Sequence, residues 1–322
     1  FSITFLYFYF FLFLVPACLV ILSDKILFQN KKRRTLLPIL PIPKFSLVFQ
    51  LLWDSRKQKT ICFRNLKKST FFSKEQLEEI EAVHLHFKEK FLKLDDLTRK
   101  EFFEVFLIKF AVSSTSIEGN TITLEQAGKL LIENITPKNK TLREIYDLKN
   151  TQQVFFKLLD EMPDISLKMI EDVHDGLLVN IDLRTGYRTD DLRILGQPFK
   201  PTPGKYVKSD MKMLLEWYEK NKNKMHPLAL AILFHHKFES IHPFYDGNGL
   251  TGRIIMNHLL IQLCCPPLIV PIVLRREYLD VISEADGALK KDLLSTDMNH
   301  YQDLFSFMVN QYVLTYWNNF LI

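Results

Sequence analysis

Apolar residues recur every three or four positions through most of residues 73–322, the spacing that gives a helix one buried face. The pattern predicts helices from Ser73 to about Lys93, Leu97 to Ser113, Leu142 to Leu159, Ser209 to Lys220 and Pro227 to Ser240, one opening at Thr123, one opening at Gly247-Asn248-Gly249, and two or three more between Arg275 and Trp317. We expect these side chains to face inward: Phe103, Phe106, Leu107, Phe110, Met213, Leu214 and Trp217. The fold class is therefore mostly α.

Residues 186–208 interrupt this helical pattern. Glycines and prolines there alternate with short apolar pieces such as Gly196-Gln197-Pro198-Phe199. Because glycine and proline favour turns, the segment is predicted to form two short extended pieces. The expected architecture is a helical bundle with one short β-hairpin.

The first 22 residues are almost wholly apolar and carry no charge, and the basic cluster Lys31-Lys32-Arg33-Arg34 follows them. About 20 such residues suffice for a transmembrane helix, and the basic flank would place the rest of the chain on the cytoplasmic side. The remainder of a signal peptide and translated upstream DNA are the alternatives. The predicted domains are a hydrophobic segment over 1–24, a linker or peripheral segment over 25–72, and a helical domain over 73–322.

Composition narrows the function classes. The net charge is +5, the basic residues are dispersed apart from the Lys31–Arg34 cluster, and no recognition helix is evident, so a nucleic-acid-binding regulator has little support. The four cysteines form no Cys-x-x-Cys pair and have no metal-ligand spacing, which favours core thiols in a reducing compartment.

The chemistry concentrates in one stretch, His242-Pro243-Phe244-Tyr245-Asp246-Gly247-Asn248-Gly249-Leu250-Thr251-Gly252-Arg253. It lies between two predicted helices, so its glycines open the second one. Free backbone N–H groups and the helix dipole attract anions at such a start. His242 is a candidate general base, because imidazole titrates near neutral pH. Asp246 is a candidate ligand for Mg²⁺, which needs only one or two carboxylates beside phosphate oxygens.

The stretch resembles the signature of the Fic (Fido) family, His-Pro-Phe-x-Asp/Glu-Gly-Asn-Gly-Arg-x-x-Arg, and departs from it at Leu250, where the family has arginine. A second resemblance lies upstream. Ser114-x-x-x-Glu118-Gly119 is similar to the inhibitory-helix motif of many Fic proteins.

The resemblance implies a Fic fold over about residues 73–322 and transfer of AMP from ATP to a Ser, Thr or Tyr hydroxyl of a target protein or of the chain itself. It implies that His242 is the base, that Asp246 holds Mg²⁺, that Arg253 binds the terminal phosphates, and that Glu118 inhibits by pairing with Arg253. The implied cofactors are ATP and Mg²⁺. By the same resemblance, Gly247, Asn248 and Gly249 cradle the phosphates, with the Asn248 side chain adding a donor, and the hairpin around Phe199 is a flap that receives the target polypeptide by strand addition.

Leu250 keeps a second interpretation open. Leucine cannot hold phosphate oxygens, and losing one charge-assisted hydrogen bond costs roughly ten- to hundredfold in affinity or rate. Lys200 or Lys205 are candidate substitutes. The alternative is a weakened or inactive nucleotide-binding regulatory pseudoenzyme.

The expected partners are a nucleotide and a protein with a hydroxyl side chain, and no nucleic acid is expected. The sequence leaves open a homodimer and membrane attachment through residues 1–22. The expected location is cytoplasmic, with or without a membrane anchor.

Overall fold

The computed structural model describes residues 71–192, 200–290 and 292–321. These residues form ten α-helices. In chain order they are α1 (Lys74–Glu89), α2 (Asp96–Ile117), α3 (Leu124–Ile132), α4 (Leu142–Glu161), α5 (Leu167–Leu177), α6 (Val207–Asn221), α7 (Pro227–Ile241), α8 (Asn248–Gln262), α9 (Arg275–Leu289) and α10 (Gln302–Asn319). The mostly helical fold predicted from the sequence is confirmed.

Side-chain caps define where the early helices begin. Ser73, Thr123 and Thr141 each accept a hydrogen bond from the backbone N–H three residues later, and the Gln or Glu side chain at that position bonds back to the cap. This capping box satisfies two N–H groups that a helix start would otherwise leave without acceptors. The helix starts predicted at Ser73 and Thr123 are thereby confirmed.

Helices α7 and α8 form the centre of the bundle. They pack against each other, and α7 also contacts α6 while α8 contacts α5 and α2. Nearly every residue of both helices is buried, including Lys237 and Arg253. A helix that is hydrophobic around most of its circumference needs neighbours on all sides, which is why the other helices surround this pair. The loop between α7 and α8 is therefore held between two largely buried helices.

One inward-facing prediction is wrong. Leu214 and Trp217 of α6 are buried, but Met213 is 42% exposed. The buried face of α6 instead includes Val207 and Met211. Successive helical residues are about 100° apart, so Met213 falls outside the stripe through Met211 and Leu214.

The predicted hairpin is only partly within the described residues. Residues 186–192 and 200–203 contain no strand, and a 3₁₀ turn follows at Gly204–Tyr206. Phe199 lies outside the described residues, so its assignment to a flap stays a prediction.

Residues 1–24, with the predicted transmembrane segment, also lie outside the described residues. Across the ranges that are described, no helix has both the length and the apolar character that a membrane span requires.

Candidate active site

The loop between α7 and α8 reverses direction through two left-handed residues. His242 caps the end of α7 at φ 53°, and Gly247 precedes α8 at φ 71°. Glycine adopts this conformation without the steric cost that a Cβ brings. A Cβ on Gly247 would also lie 3.4 Å from Leu178 Cδ2. The predicted opening of α8 at Gly247-Asn248-Gly249 is confirmed, with helix residues beginning at Asn248.

The Asn248 side chain braces this loop from inside. Its Oδ1 accepts a hydrogen bond from the Phe244 N–H at 2.8 Å, and its Nδ2 donates to the Phe244 carbonyl at 2.8 Å. One of the two Nδ2 hydrogens is therefore used within the loop, and the role of this side chain as a phosphate donor stays a prediction. The backbone N–H of Asn248 is one of the first N–H groups of α8, which have no intrahelical acceptor, and can also bind an anion.

Replacing Asn248 should destabilise the fold. Asn248→Ala leaves the N–H and the carbonyl of buried Phe244 without partners, so we expect the free energy of unfolding to fall by about 2–4 kcal/mol. Urea denaturation measures the change. Asn318→Ala is the control, because Asn318 is exposed on α10 and its replacement should change stability by less than about 0.5 kcal/mol. Equal effects of the two substitutions would contradict the bracing role.

His242 is half-buried, and its main chain is held on both sides. Its N–H donates to the Phe238 carbonyl at 2.9 Å, and its carbonyl accepts from Arg188 Nε at 2.7 Å. Burial, with a smaller contribution from the nearby Arg188 charge, lowers the pKa of the imidazole to about 4. At neutral pH the ring is therefore uncharged and can accept a proton, as a general base must.

Arg188, which the sequence did not single out, fastens the loop to the segment before α6. Its buried guanidinium donates to the carbonyls of Ile241, His242, Asp190 and Thr202. Its own N–H donates to the Pro243 carbonyl at 3.0 Å. The four hydrogen bonds donated by the guanidinium satisfy a charge that would be costly to bury alone. Arg188 thus ties Asp190 and Thr202, which lie on either side of the predicted flap in sequence, to the main chain of His242.

Arg253 lies on α8 and pairs with the end of α2. Its Nη2 is 2.7 Å from Glu118 Oε1, and Nε donates to the Ser114 hydroxyl at 2.8 Å. Nη2 also donates to the Ser114 carbonyl at 3.0 Å. The contact between Glu118 and Arg253 that the resemblance implied is present. Arg253 is buried whereas the Glu118 side chain is 47% exposed, so the carboxylate is the partner that can leave.

Gly249 lets the Glu118 carboxylate approach the start of α8. A Cβ at this position would collide with Glu118 Oε1 and would lie 3.0 Å from Arg253 Nη1. Glu118 therefore covers the same helix start that the sequence predicts to bind phosphate. Burial opposes the charge on Arg253, but the neighbouring Glu118 carboxylate and smaller contributions from other groups outweigh it, so the pKa of Arg253 is raised.

Asp246 presents its carboxylate at the mouth of the loop. Oδ1 accepts from the Gly247 N–H at 2.8 Å, and Oδ2 is 2.6 Å from Nη2 of Arg143 at the start of α4. A partly exposed carboxylate next to a helix start suits Mg²⁺, whose remaining ligands would be phosphate oxygens and water. The donor chemistry therefore fits the predicted metal, provided that Arg143 moves aside. Within the described ranges, no cluster of three or more His, Cys, Asp or Glu side chains has metal-binding geometry.

Leu250 is buried, with 6% of its surface exposed, and belongs to the main hydrophobic core. It contributes packing to α8 rather than a polar group. Of the two lysines considered as substitutes for the absent arginine, Lys205 places its ammonium over its neighbour Tyr206, 4.7 Å from the ring centre.

Comparison with known proteins identifies a domain around this loop. The model of the Fic/DOC family matches residues 164–260. The protein adenylyltransferases Fic of Drosophila melanogaster and Drosophila grimshawi are 32% and 33% identical in alignments 175 residues long, which cover 51% of this chain. The match covers 34% and 35% of those two proteins, so the chain spans about a third of the length of these relatives.

Two solved structures share the fold. A Fic-domain-containing signalling protein from Bacteroides thetaiotaomicron superposes with a TM-score of 0.67 at 22% identity, over 74% of this chain and 95% of the other. Fic-1 from Caenorhabditis elegans (residues 134–508) superposes with a TM-score of 0.64 at 21% identity, over 84% and 78%. These matches confirm the resemblance expected from the sequence motif.

Proposed function

Residues 164–260 match the model of the Fic/DOC family, and on that premise we propose that this chain is a protein adenylyltransferase restrained by Glu118. It transfers AMP from ATP to a Ser, Thr or Tyr hydroxyl of a protein substrate or of the chain itself. The observation that carries the proposal is the shared surroundings of His242 and Arg253. Arg253 pairs with the Glu118 carboxylate at 2.7 Å, and His242 and Arg253 flank the helix start that this carboxylate covers.

The reaction is a displacement at the α-phosphorus of ATP. The substrate hydroxyl oxygen forms a bond to that phosphorus, the bond to the β-phosphate oxygen breaks, and pyrophosphate leaves. His242 removes the hydroxyl proton as the oxygen attacks. The uncharged imidazole fits this step, because its lowered pKa keeps it free of a proton at neutral pH.

The start of α8 and Arg253 hold the phosphates. The backbone N–H groups at Asn248 and Gly249 face the chain of phosphates, and the Arg253 guanidinium binds the terminal ones. Asp246 would hold Mg²⁺, which when bound would neutralise phosphate charge and orient the phosphates. Preorganised donors of this kind stabilise the charge that develops as pyrophosphate leaves.

Glu118 restrains the reaction by competition. Its carboxylate occupies Arg253 at 2.7 Å, where a phosphate would otherwise bind. Carboxylate and phosphate both accept the forked hydrogen bonds of one guanidinium, so only one can be bound in full at a time. ATP that enters while Glu118 remains bound lies in a pose unsuitable for transfer.

A nucleotide-binding regulator without transfer activity is the second candidate, and Leu250 favours it. This residue packs into the core and adds no positive charge to the phosphate site. Such a protein would still bind Mg-ATP and respond through Glu118, but it would not modify a hydroxyl.

Intact-protein mass spectrometry after incubation with Mg-ATP separates the two candidates. Transfer to the chain itself adds one AMP mass per modified site, and the added mass should be absent with a non-hydrolysable α,β-methylene analogue. Isothermal titration calorimetry on the same sample reports binding. Binding without added mass, in both the native chain and a Glu118→Gly variant, would reject the transferase in favour of the regulator.

The lowered pKa of His242 predicts the acid side of the pH profile. Because the folded protein holds this pKa at about 4 rather than 6.5, the ring remains unprotonated between pH 8 and pH 5. We therefore expect no loss of kcat/KM from His242 in that interval, and loss only as the pH falls through about 4. Initial rates of AMP transfer measure this, with Mg-ATP affinity determined at each pH to correct for protonation of the nucleotide. A fall centred near pH 6.5 in the corrected profile would contradict it.

A further inference from the structure

Arg143 is the cation in contact with the carboxylate predicted to hold the metal. It lies on the first turn of α4, far from the motif in sequence, and its Nη2 is 2.6 Å from Asp246 Oδ2. The Gly247 N–H, at the start of α8, donates to the other oxygen of the same carboxylate at 2.8 Å. The Asp246 carboxylate therefore lies between the Arg143 guanidinium and the helix start where phosphate is proposed to bind.

The ion pair with Asp246 holds Arg143 only weakly. The side chains are 56% and 36% exposed, and ion pairs exposed to this degree contribute little to stability. A divalent cation that binds Asp246 would replace Arg143, since both need the same carboxylate oxygen. A change of rotamer alone would then let the displaced Arg143 guanidinium reach the phosphates that accompany the cation.

The neighbouring Arg184 is less available. Its Nε donates to both oxygens of Asp182, at 2.9 and 3.1 Å, and its Nη2 donates to the same carboxylate. Its guanidinium carbon also lies 5.0 Å from the centre of the Tyr245 ring. Arg184 is as exposed as Arg143, at 56%, but the forked pair and the ring contact give it more partners. The Arg143 side chain has one hydrogen-bond partner among the described residues, Asp246.

We propose that Arg143 exchanges partners, from Asp246 in the nucleotide-free protein to the polyphosphate once a divalent cation binds Asp246, and so supplies a positive charge that Leu250 does not. The inference rests on the proposed nucleotide site. The proposed nucleotide site then contains two ion pairs within the protein. Glu118 occupies Arg253, which would bind phosphate, and Arg143 occupies Asp246, which would bind the cation.

The sign of one binding measurement tests the exchange. If Arg143 binds the phosphates, Arg143→Gln should raise the dissociation constant for Mg-ATP about ten- to hundredfold in the full chain, the effect of losing one charge-assisted hydrogen bond. If Arg143 only blocks Asp246, the same variant should bind Mg-ATP more tightly. Tighter or unchanged binding in calorimetry would overturn the proposal.

Metal dependence provides the second arm. With ATP in EDTA nothing displaces Arg143 from Asp246, so Arg143→Gln should change the dissociation constant by less than about twofold. An equal loss with and without Mg²⁺ would indicate a permanent phosphate contact and would also overturn the exchange.

Three variants serve as controls. Lys157→Gln removes the same charge from an exposed position near the far end of α4, and Arg184→Gln removes a guanidinium near the site, so neither should reproduce the loss. Arg143→Lys keeps the charge without the fork and should lose less affinity than Arg143→Gln. Thermal unfolding of each variant verifies that the fold is retained.

The outcomes distinguish this inference from the proposed function. A metal-dependent loss of binding in Arg143→Gln without any AMP transfer supports the exchange and rejects the transferase. Transfer activity together with unchanged Mg-ATP binding in Arg143→Gln supports the transferase and rejects the exchange. An absence of Mg-ATP binding even in a Glu118→Gly background rejects both.

Discussion

A His242→Ala variant should lose AMP transfer by a factor of about 10²–10⁴, the usual contribution of a positioned general base. Its affinity for Mg-ATP should change little, because the imidazole acts on the substrate hydroxyl and makes no proposed contact with the terminal phosphates. Self-modification measured by mass spectrometry over time gives the rate, and calorimetry gives the affinity.

The control for this variant is His300→Ala, because His300 is exposed and remote from the motif in sequence. It should retain full activity. A His242→Ala variant that transferred AMP at the native rate would exclude the imidazole as the base and would leave the proposed mechanism without a proton acceptor.

Glu118→Gly should increase self-modification about ten- to hundredfold. The substitution removes the carboxylate 2.7 Å from Arg253 Nη2, so the guanidinium can form a charge-assisted hydrogen bond to phosphate instead. The added AMP mass per molecule at a fixed time measures the gain. An unchanged mass profile would exclude an inhibitory role for Glu118.

Glu118→Gln separates charge from backbone effects in that experiment. Glutamine preserves the side-chain shape at the end of α2 but removes the negative charge, so its activity should fall between those of the native chain and the glycine variant. Activation by glycine alone, with glutamine identical to the native chain, would point to loosening of the helix end rather than release of Arg253.

The helices were predictable because each buried face repeats locally in the sequence. The four phenylalanine and leucine residues expected to face inward on α2 are buried, and the starts at Ser73 and Thr123 carry their own capping residues. Met213 was assigned to the wrong face because methionine is apolar but lies outside the stripe defined by Met211 and Leu214. Apolar identity predicts burial only where the helical phase agrees with it.

The site was predictable where it is contiguous in sequence. The loop from His242 to Arg253 brings its own turn and helix start, and the Glu118 contact was expected through a second motif. Arg143 and Arg188 were not found because their partners lie 103 and 54 residues away. Arg143 reaches the loop because α4 packs against it, and Arg188 reaches the loop because the segment before α6 packs against it. Local sequence patterns do not indicate such long-range packing.

Arg188 also bears on how this chain could acquire new acceptor proteins. Its guanidinium is fastened to Asp190 on one side of residues 193–199, to Thr202 on the other, and to the main chain of His242. The residues on either side of positions 193–199 are therefore anchored by one side chain. We expect those positions to tolerate exchange for a different docking sequence while the imidazole stays where it is, so that evolution can retarget the chain without rebuilding its chemistry.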